Sequence, residues 1–216
     1  MGVAVAVTGF WKGIGRTSLV VELGRVYAAR GMRVLVVDAD GKGDLGKVLG
    51  VAPSGRDYSI GLCDVLYSQI SPDLVVESTA VPGVSWLGPG DYLAEVDGAF
   101  GDEVDELPKR AQWAMAALRE RFDLILVDTP NNQALPGVFL ATVSADLRLE
   151  LIRKGTGDSC VLREAVFEFV KIRTELNPNV RLAGFLTVDP VPGNATSRST
   201  LVSRAVKRLE HFIGRN

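Results

Sequence analysis

Gly9-Phe10-Trp11-Lys12-Gly13-Ile14-Gly15-Arg16-Thr17-Ser18 is the stretch that decides how this chain is read. It comes straight after the apolar run Val-Ala-Val-Ala-Val at 3–7. A buried strand, a glycine-rich turn and a helix opening on Thr17 and Ser18 form the layout of a loop that cradles phosphate. Gly13 and Gly15 free the backbone to turn its N–H groups inward, and the following helix N-terminus adds partial positive charge that favours an anion. The loop departs from the usual Gly-Lys-Ser/Thr ending, because Arg16 stands where the lysine is expected.

Outward from the loop, short β-branched runs alternate with helical patterns. Strands are expected at 3–8, 33–38, 84–87, 124–127, 147–152 and 182–188. Helices are expected at 17–30 (closed by Gly31), 58–70, 107–121, 133–143, 159–176 and 199–213. Residues 41–57, 88–106 and 189–196 are rich in Gly, Asp and Pro and read as loops. Near-continuous apolar strands separated by helices predict an α/β fold: three layers, with a mostly parallel twisted sheet flanked by helices. Such sheets bind ligands beyond the C-terminal ends of their strands. The 9–18 loop, Asp38 and Asp40, Asp128 to Pro130, and Thr187 to Pro190 all fall there.

The chain has 216 residues, 47% hydrophobic and 23% charged, which suits a single domain over 1–216 with one sizeable core. A formal charge of −2 gives no global pull on nucleic acid or an anionic membrane, so such binding requires a local patch. Cys63 and Cys160 lie far apart, have no metal-ligand spacing, and read as buried free thiols in a reducing cytoplasm. No run approaches the roughly 18 apolar residues of a membrane span, and the N-terminus lacks the basic segment of a signal peptide. His211 is the single histidine and is expected to decorate the last helix, which argues against histidine-based catalysis. Trp86 and Trp113 are expected in the core.

Three pieces converge on nucleotide chemistry. In the loop, the Thr17 hydroxyl is placed for Mg²⁺ and Ser18 for the α-phosphate. The run Val34-Leu-Val-Val-Asp-Ala-Asp40 delivers two carboxylates, Asp38 and Asp40, where a metal or an attacking water would need them. The run Phe122-Asp-Leu-Ile-Leu-Val-Asp-Thr-Pro130 ends an apolar strand on Asp128, whose carboxylate would hold Mg²⁺ through water. Each has a plainer reading, as a tight corner or as an aspartate capping the next turn. Their shared place at strand C-termini favours the nucleotide site.

On these residues the chain resembles the ParA/MinD family of deviant Walker A P-loop ATPases. That family's loop reads Lys-Gly-Gly-x-Gly-Lys-Thr-Thr/Ser. Gly13, Ile14, Gly15, Thr17 and Ser18 match it. Trp11 falls on the signature lysine, Lys12 on the first glycine and Arg16 on the second lysine. The stretch Ala28-Ala-Arg-Gly-Met-Arg-Val-Leu-Val-Val-Asp-Ala-Asp40, the segment from Leu45 to Leu49, Asp128-Thr-Pro130 and Gly184-Phe-Leu-Thr-Val-Asp189 also resemble the family, while 51–106 matches weakly. The resemblance implies ATP/ADP and Mg²⁺ as cofactors, with Gly13, Ile14, Gly15, Arg16, Thr17 and Ser18 around the nucleotide. It implies Thr17, Asp38 and Asp128 at the metal, and Asp40 positioning the attacking water. It also implies a homodimer closed over nucleotide and reset by hydrolysis that an unidentified partner protein stimulates.

Arg16 keeps the charge of the lysine but is a planar fork in a nest shaped for a point charge. Trp11 donates no cation and reads as a plug for the missing lysine. A one-residue shift would let Lys12 take that role, which keeps Arg16 and Lys12 together with Asp40 as the catalytic candidates. Retained binding with weakened or lost hydrolysis ranks first, full activity second and no binding third.

Arg198, Arg204, Lys207, Arg208 and Arg215 lie on or beside the last helix, whose apolar Leu201, Val202, Ala205, Leu209, Phe212 and Ile213 keep helical spacing. The plainer reading is a core helix with a solvated basic face. The functional one is non-specific DNA contact through phosphates, extended by Lys171 and Arg173 and ranked above a membrane anchor. The leading expectation is a nucleotide-controlled dimer in DNA partition or cargo positioning. The alternative is a non-enzymatic scaffold that localises a pilus, secretion or polysaccharide machine. A kinase-like P-loop enzyme ranks last, since no acceptor-substrate motif appears.

Overall fold

Apolar runs bounded by Gly, Asp or Asn become strands buried from both sides. The computed structural model describes residues 1–40, 44–51, 59–91, 106–130, 141, 143–155, 158–189 and 195–213. Among them, β1 (Val3–Gly9), β2 (Val34–Asp38), β4 (Val84–Leu87), β5 (Leu124–Asp128), β6 (Leu147–Arg153) and β7 (Arg181–Val188) run parallel, with a short β3 (Val76–Ser78) antiparallel on β4. The seven-stranded sheet has the order β3-β4-β2-β5-β1-β6-β7. The expected mostly parallel architecture is present.

Alternation along the strands sorts the core into two layers. Ala4, Ala6, Leu35, Val37, Ile125 and Val127 pack with α3 (Leu62–Tyr67) and α4 (Leu107–Arg121). Val5, Val7, Val34, Val36, Leu124 and Leu126 pack on the opposite face with α1 (Arg16–Ala28), α2 (Asp44–Leu49) and α6 (Ala195–Ile213). Helix α5 (Asp158–Glu175) covers the sheet end, with Phe169 and Ile172 against Val180 and Leu182. Cross-strand register sets Asp128 level with Asp38 on one side and Val7 on the other, so the ends of β1, β2 and β5 open onto one place.

Several expectations are corrected. Residues 41–57 are not all loop: α2 forms within them because Leu45 and Leu49, one helical turn apart, bury against the sheet. The helix expected at 58–70 is limited to Leu62–Tyr67. It begins where the Gly61 N–H donates to the Asp64 carboxylate (2.8 Å), and beyond it Gln69 takes φ 54°. Strand β3 was not foreseen, being three residues long with Glu77 and Ser78 in it. Helix α6 starts at Ala195, inside the stretch 189–196 read as loop. The helix expected at 133–143 lies outside the described residues except at 141 and 143, which are helical. Trp113 is 47% exposed, because Ala111, Ala114, Met115 and Leu118 define the inner face of α4 and position 113 falls outside it. Cys63 is buried, with its thiol pushed up to about 11 by desolvation, whereas Cys160 is exposed on α5.

Trp86 is in the core as expected, and it locks the segment that follows β2. Its ring lies against the backbone of Gly46 in α2 and of Gly88, where an added Cβ would come within 2.8 Å and 2.4 Å of ring atoms. In an open helix, glycine to alanine stabilises by about 1 kcal/mol. At position 46 the overlap outweighs that gain, so Gly46→Ala is expected to destabilise by about 1–3 kcal/mol in urea melts. The smaller ring of Trp86→Phe should recover part of the loss in the double variant, and simple additivity would reject this packing.

Candidate functional site

The 9–18 loop leaves β1 at Gly9 and enters α1 at Arg16. Gly13 (φ 73°) and Gly15 (φ 96°) hold left-handed conformations, and a Cβ built at either meets nothing within 4 Å, so this side of the loop is open. Ile14 anchors the turn by packing into the α1-side core. Gly15 is the N-cap of α1 and offers no side-chain acceptor, and the first turn carries no acidic residue. The helix N-terminus therefore presents its amide dipoles without an internal anion. Lys12 and Ser18 are exposed on the loop and the first turn. Trp11 lies half-buried against the same core, edge-on to Phe10 with centroids 6.4 Å apart, which fits a plug.

Arg16 does not project into solvent. It is 7% exposed, and its Nη1 donates to the Gly9 carbonyl at the start of the loop. Burial lowers its pKa, opposed by the negative charges of Asp128, Asp40 and Glu150 around it. Asp128, at the end of the central strand, accepts a hydrogen bond from the Thr17 side chain. Burial pushes the Asp128 carboxyl up to about 6 against that hydrogen bond and the charge of Arg16. Its neighbour Asp38 is pushed up to about 8, by burial first and by Asp128 second, while its Oδ1 accepts the Asp40 N–H at 3.1 Å. The Ala39 N–H donates to the Asp128 carbonyl (3.0 Å) and the Thr129 hydroxyl to the Val7 carbonyl (2.8 Å), which pins the three strand ends together.

Among the described residues, Asp38 Oδ2 and Asp128 Oδ1 are both buried without a hydrogen-bond partner. Two orphaned carboxylate oxygens beside a threonine hydroxyl are a hard-oxygen donor set, and they fit a divalent cation. Among the described residues no cluster of three or more His, Cys, Asp or Glu forms a self-sufficient metal cage. A cation at Thr17, Asp38 and Asp128 would thus need further oxygens, such as a phosphate would supply.

Glu150 was missed. It is 1% exposed on β6 directly beside Thr8 of β1, the residue before Gly9. Its Oε2 accepts the Thr8 hydroxyl (2.5 Å) and Arg148 Nε (2.9 Å), and Arg148 Nη2 donates to Glu168 of α5 (3.1 Å). The signal was the alternation Leu147-Arg148-Leu149-Glu150-Leu151, since charge at every second position of a strand covered on both faces requires an internal pair.

The basic positions of α6 divide. Arg204 donates to the Thr187 carbonyl and hydroxyl (3.2 Å each), and Arg208 packs over Gly184 of β7, so both turn toward the edge strand. All four of Arg198, Arg204, Lys207 and Arg208 are exposed, and Arg215 lies outside the described residues. Leu201, Val202, Ala205, Leu209, Phe212 and Ile213 all face the core. Among the described residues no helix is long and apolar enough to cross a membrane.

The raised carboxyls make a signed prediction for the ligand-free chain. Folded Asp38 and Asp128 retain protons that the unfolded chain, with carboxyls near 3.8, releases. Stability therefore declines as pH rises from about 4 through about 8. Asp38→Asn removes most of this cost. Thermal or urea melts should show the variant gaining on wild type by on the order of 2 kcal/mol between about pH 5 and pH 8. A constant offset across that range would reject the assignment.

Comparison with known proteins bears on the family and the fold. A family model described as an AAA domain matches residues 3–147. EpsB of Ralstonia solanacearum, which carries a provisional tyrosine-protein kinase name, is 32% identical over 190 residues, covering 86% of this chain and 23% of that protein. The sporulation initiation inhibitor protein Soj of Bacillus subtilis is 28% identical over 67% of this chain and 54% of its own length. The chain thus spans about a quarter of the first relative and about half of the second. Cobyrinic acid a,c-diamide synthase of Mycobacterium smegmatis, crystallised with ADP and magnesium, superposes with a TM-score of 0.76 at 20% identity, over 96% of this chain and 82% of that one. The matched segment takes in the loop, both acidic strand ends and the turn after β5, and on it the chain belongs to the AAA-domain family of ParA/MinD-like P-loop NTPases.

Proposed function

We propose that this chain is a nucleotide-controlled switch of the ParA kind, which binds ATP with Mg²⁺ in the 9–18 loop and turns it over slowly or not at all. The observation that carries the reading is the pair of unpartnered buried oxygens on Asp38 and Asp128 next to Thr17, beneath an open glycine loop. In this reading the amides around Gly13 to Ser18 and the N-terminus of α1 hold the phosphates. Thr17, Asp38 and Asp128 hold the metal, which supplies charge neutralisation of the phosphate oxygens. Asp40, half-buried beside Asp38, orients water, and Lys12 reaches the triphosphate from the exposed side of the loop.

Weak turnover follows from Arg16 and Trp11. The Arg16 guanidinium is engaged by the Gly9 carbonyl and faces carboxylates, and Trp11 supplies packing in place of a cation. Both remove positive charge from where it would develop value in a phosphoryl transition state. Association of two copies over the nucleotide, and action in DNA partition or cargo positioning, complete the reading by analogy with Soj and ParA. Contact with DNA would draw on Arg198 and Lys207 more than on Arg204 and Arg208, which hold β7.

The similarity to EpsB favours a second reading, transfer of the γ-phosphoryl group to a protein hydroxyl. Radiolabelled ATP separates the two, since protein-bound label supports transfer and free phosphate or none supports the switch.

Titration calorimetry with a slowly hydrolysed ATP analogue and Mg²⁺ should register binding in the micromolar to sub-millimolar range. Thr17→Ala should weaken it about tenfold, or about 1.4 kcal/mol. Arg16→Lys should raise turnover by about tenfold or more without tightening binding. Absence of heat and of thermal protection at millimolar nucleotide would leave the non-enzymatic scaffold, and brisk wild-type turnover would refute the slow switch.

A further inference from the structure

Helix α5 is amphipathic on its inner side and carries a second apolar stripe on its outer side. Ala165, Phe169 and Ile172 face the sheet. Leu162, Val166, Phe167 and Val170 recur at helical spacing on the solvent side, where they are exposed by 40%, 41%, 74% and 53%. Single exposed apolar residues are ordinary, but four in register on one helix form a surface that water disfavours. Arg163, Lys171 and Arg173 are exposed within and beside the stripe, and Glu164 and Glu175 lie exposed toward its far flank.

We propose that the outer face of α5 is a docking surface for an acidic amphipathic helix of a partner protein. Charge selects this occupant. A second copy of the same face would set Arg163, Lys171 and Arg173 against their like, which opposes self-pairing. An anionic lipid surface needs a broader apolar face: the stripe from 162 to 170 is about 12 Å long, the span of two helical turns and narrow for membrane insertion. An amphipathic helix offers apolar side chains at i, i+3 or i+4, and i+7, which match the stripe. Carboxylates at its margins would meet the three basic side chains. Phe167, the most exposed of the four, is the anchor.

A random 16-residue phage-displayed peptide library, panned on the wild-type chain with counter-selection on Phe167→Asp, tests this. The substitution is at an exposed position, and matching thermal melts will verify that the variant folds. Enriched peptides should carry apolar residues at helical spacing flanked by Asp or Glu. A synthetic consensus peptide should bind at about 10 μM in physiological salt, at least tenfold more weakly to Phe167→Asp or Val170→Asp, and several-fold more weakly to Arg163→Glu. No enrichment over the counter-selection, or a consensus without acidic residues, overturns the proposal. So does Phe167-dependent flotation with phosphatidylglycerol vesicles, or a Phe167-dependent dimer in sedimentation equilibrium, in the absence of such peptides. None of these outcomes depends on nucleotide binding at the 9–18 loop, so the two readings stand or fall separately.

Discussion

Negative charge gathered at the buried ends of β2 and β5 is the constraint around which the site is organised. Asp38 and Asp128 sit level on adjacent strands, both held above the ordinary carboxylate range, each with one oxygen that the described residues leave without a hydrogen bond. A fold has no structural use for such a pair, since apolar residues there would cost less. The cost is tolerable because the rest of the sheet is well packed, and in the proposed reading a cation with its phosphate oxygens would offset it. Stability surrendered locally in this way is a common mark of a binding site.

Arg16 moderates the same field. Placed at the first position of α1, a lysine would reach along the loop as a single mobile charge, whereas the guanidinium spreads its charge across a plane and locks onto the Gly9 carbonyl. The loop thereby gains an internal brace. The brace keeps the turn formed, and it also keeps the cation where the acids are and away from the open side of the loop. Retained architecture with subdued chemistry is what the proposed slow switch draws from that exchange.

Much of this was legible from the residues. The apolar runs announced a parallel sheet, and Asp38, Asp40 and Asp128 stand at or just past strand ends, with Thr17 opening the helix after β1, as their places in the sequence imply. What stayed hidden was tertiary. Helix α2 exists because Leu45 and Leu49 find cover and Gly46 lets Trp86 approach, neither of which a glycine-rich stretch declares. Strand β3 is too short for alternation to register, and the size of Trp113 suggests burial while its phase on α4 sets it outside the inner face. The direction of Arg16 could not be read at all, since the same residue at the same position could reach outward or fold back, and only the carbonyl and carboxylates around it decide.

The ion chain Thr8–Glu150–Arg148–Glu168 has a mechanical consequence. Its members are largely shielded from water, so sliding α5 along the sheet would strand charges in a medium unable to solvate them. Helix α5, β6 and β1 are therefore tied by a single buried polar chain, which ends on Thr8, the residue that precedes the loop.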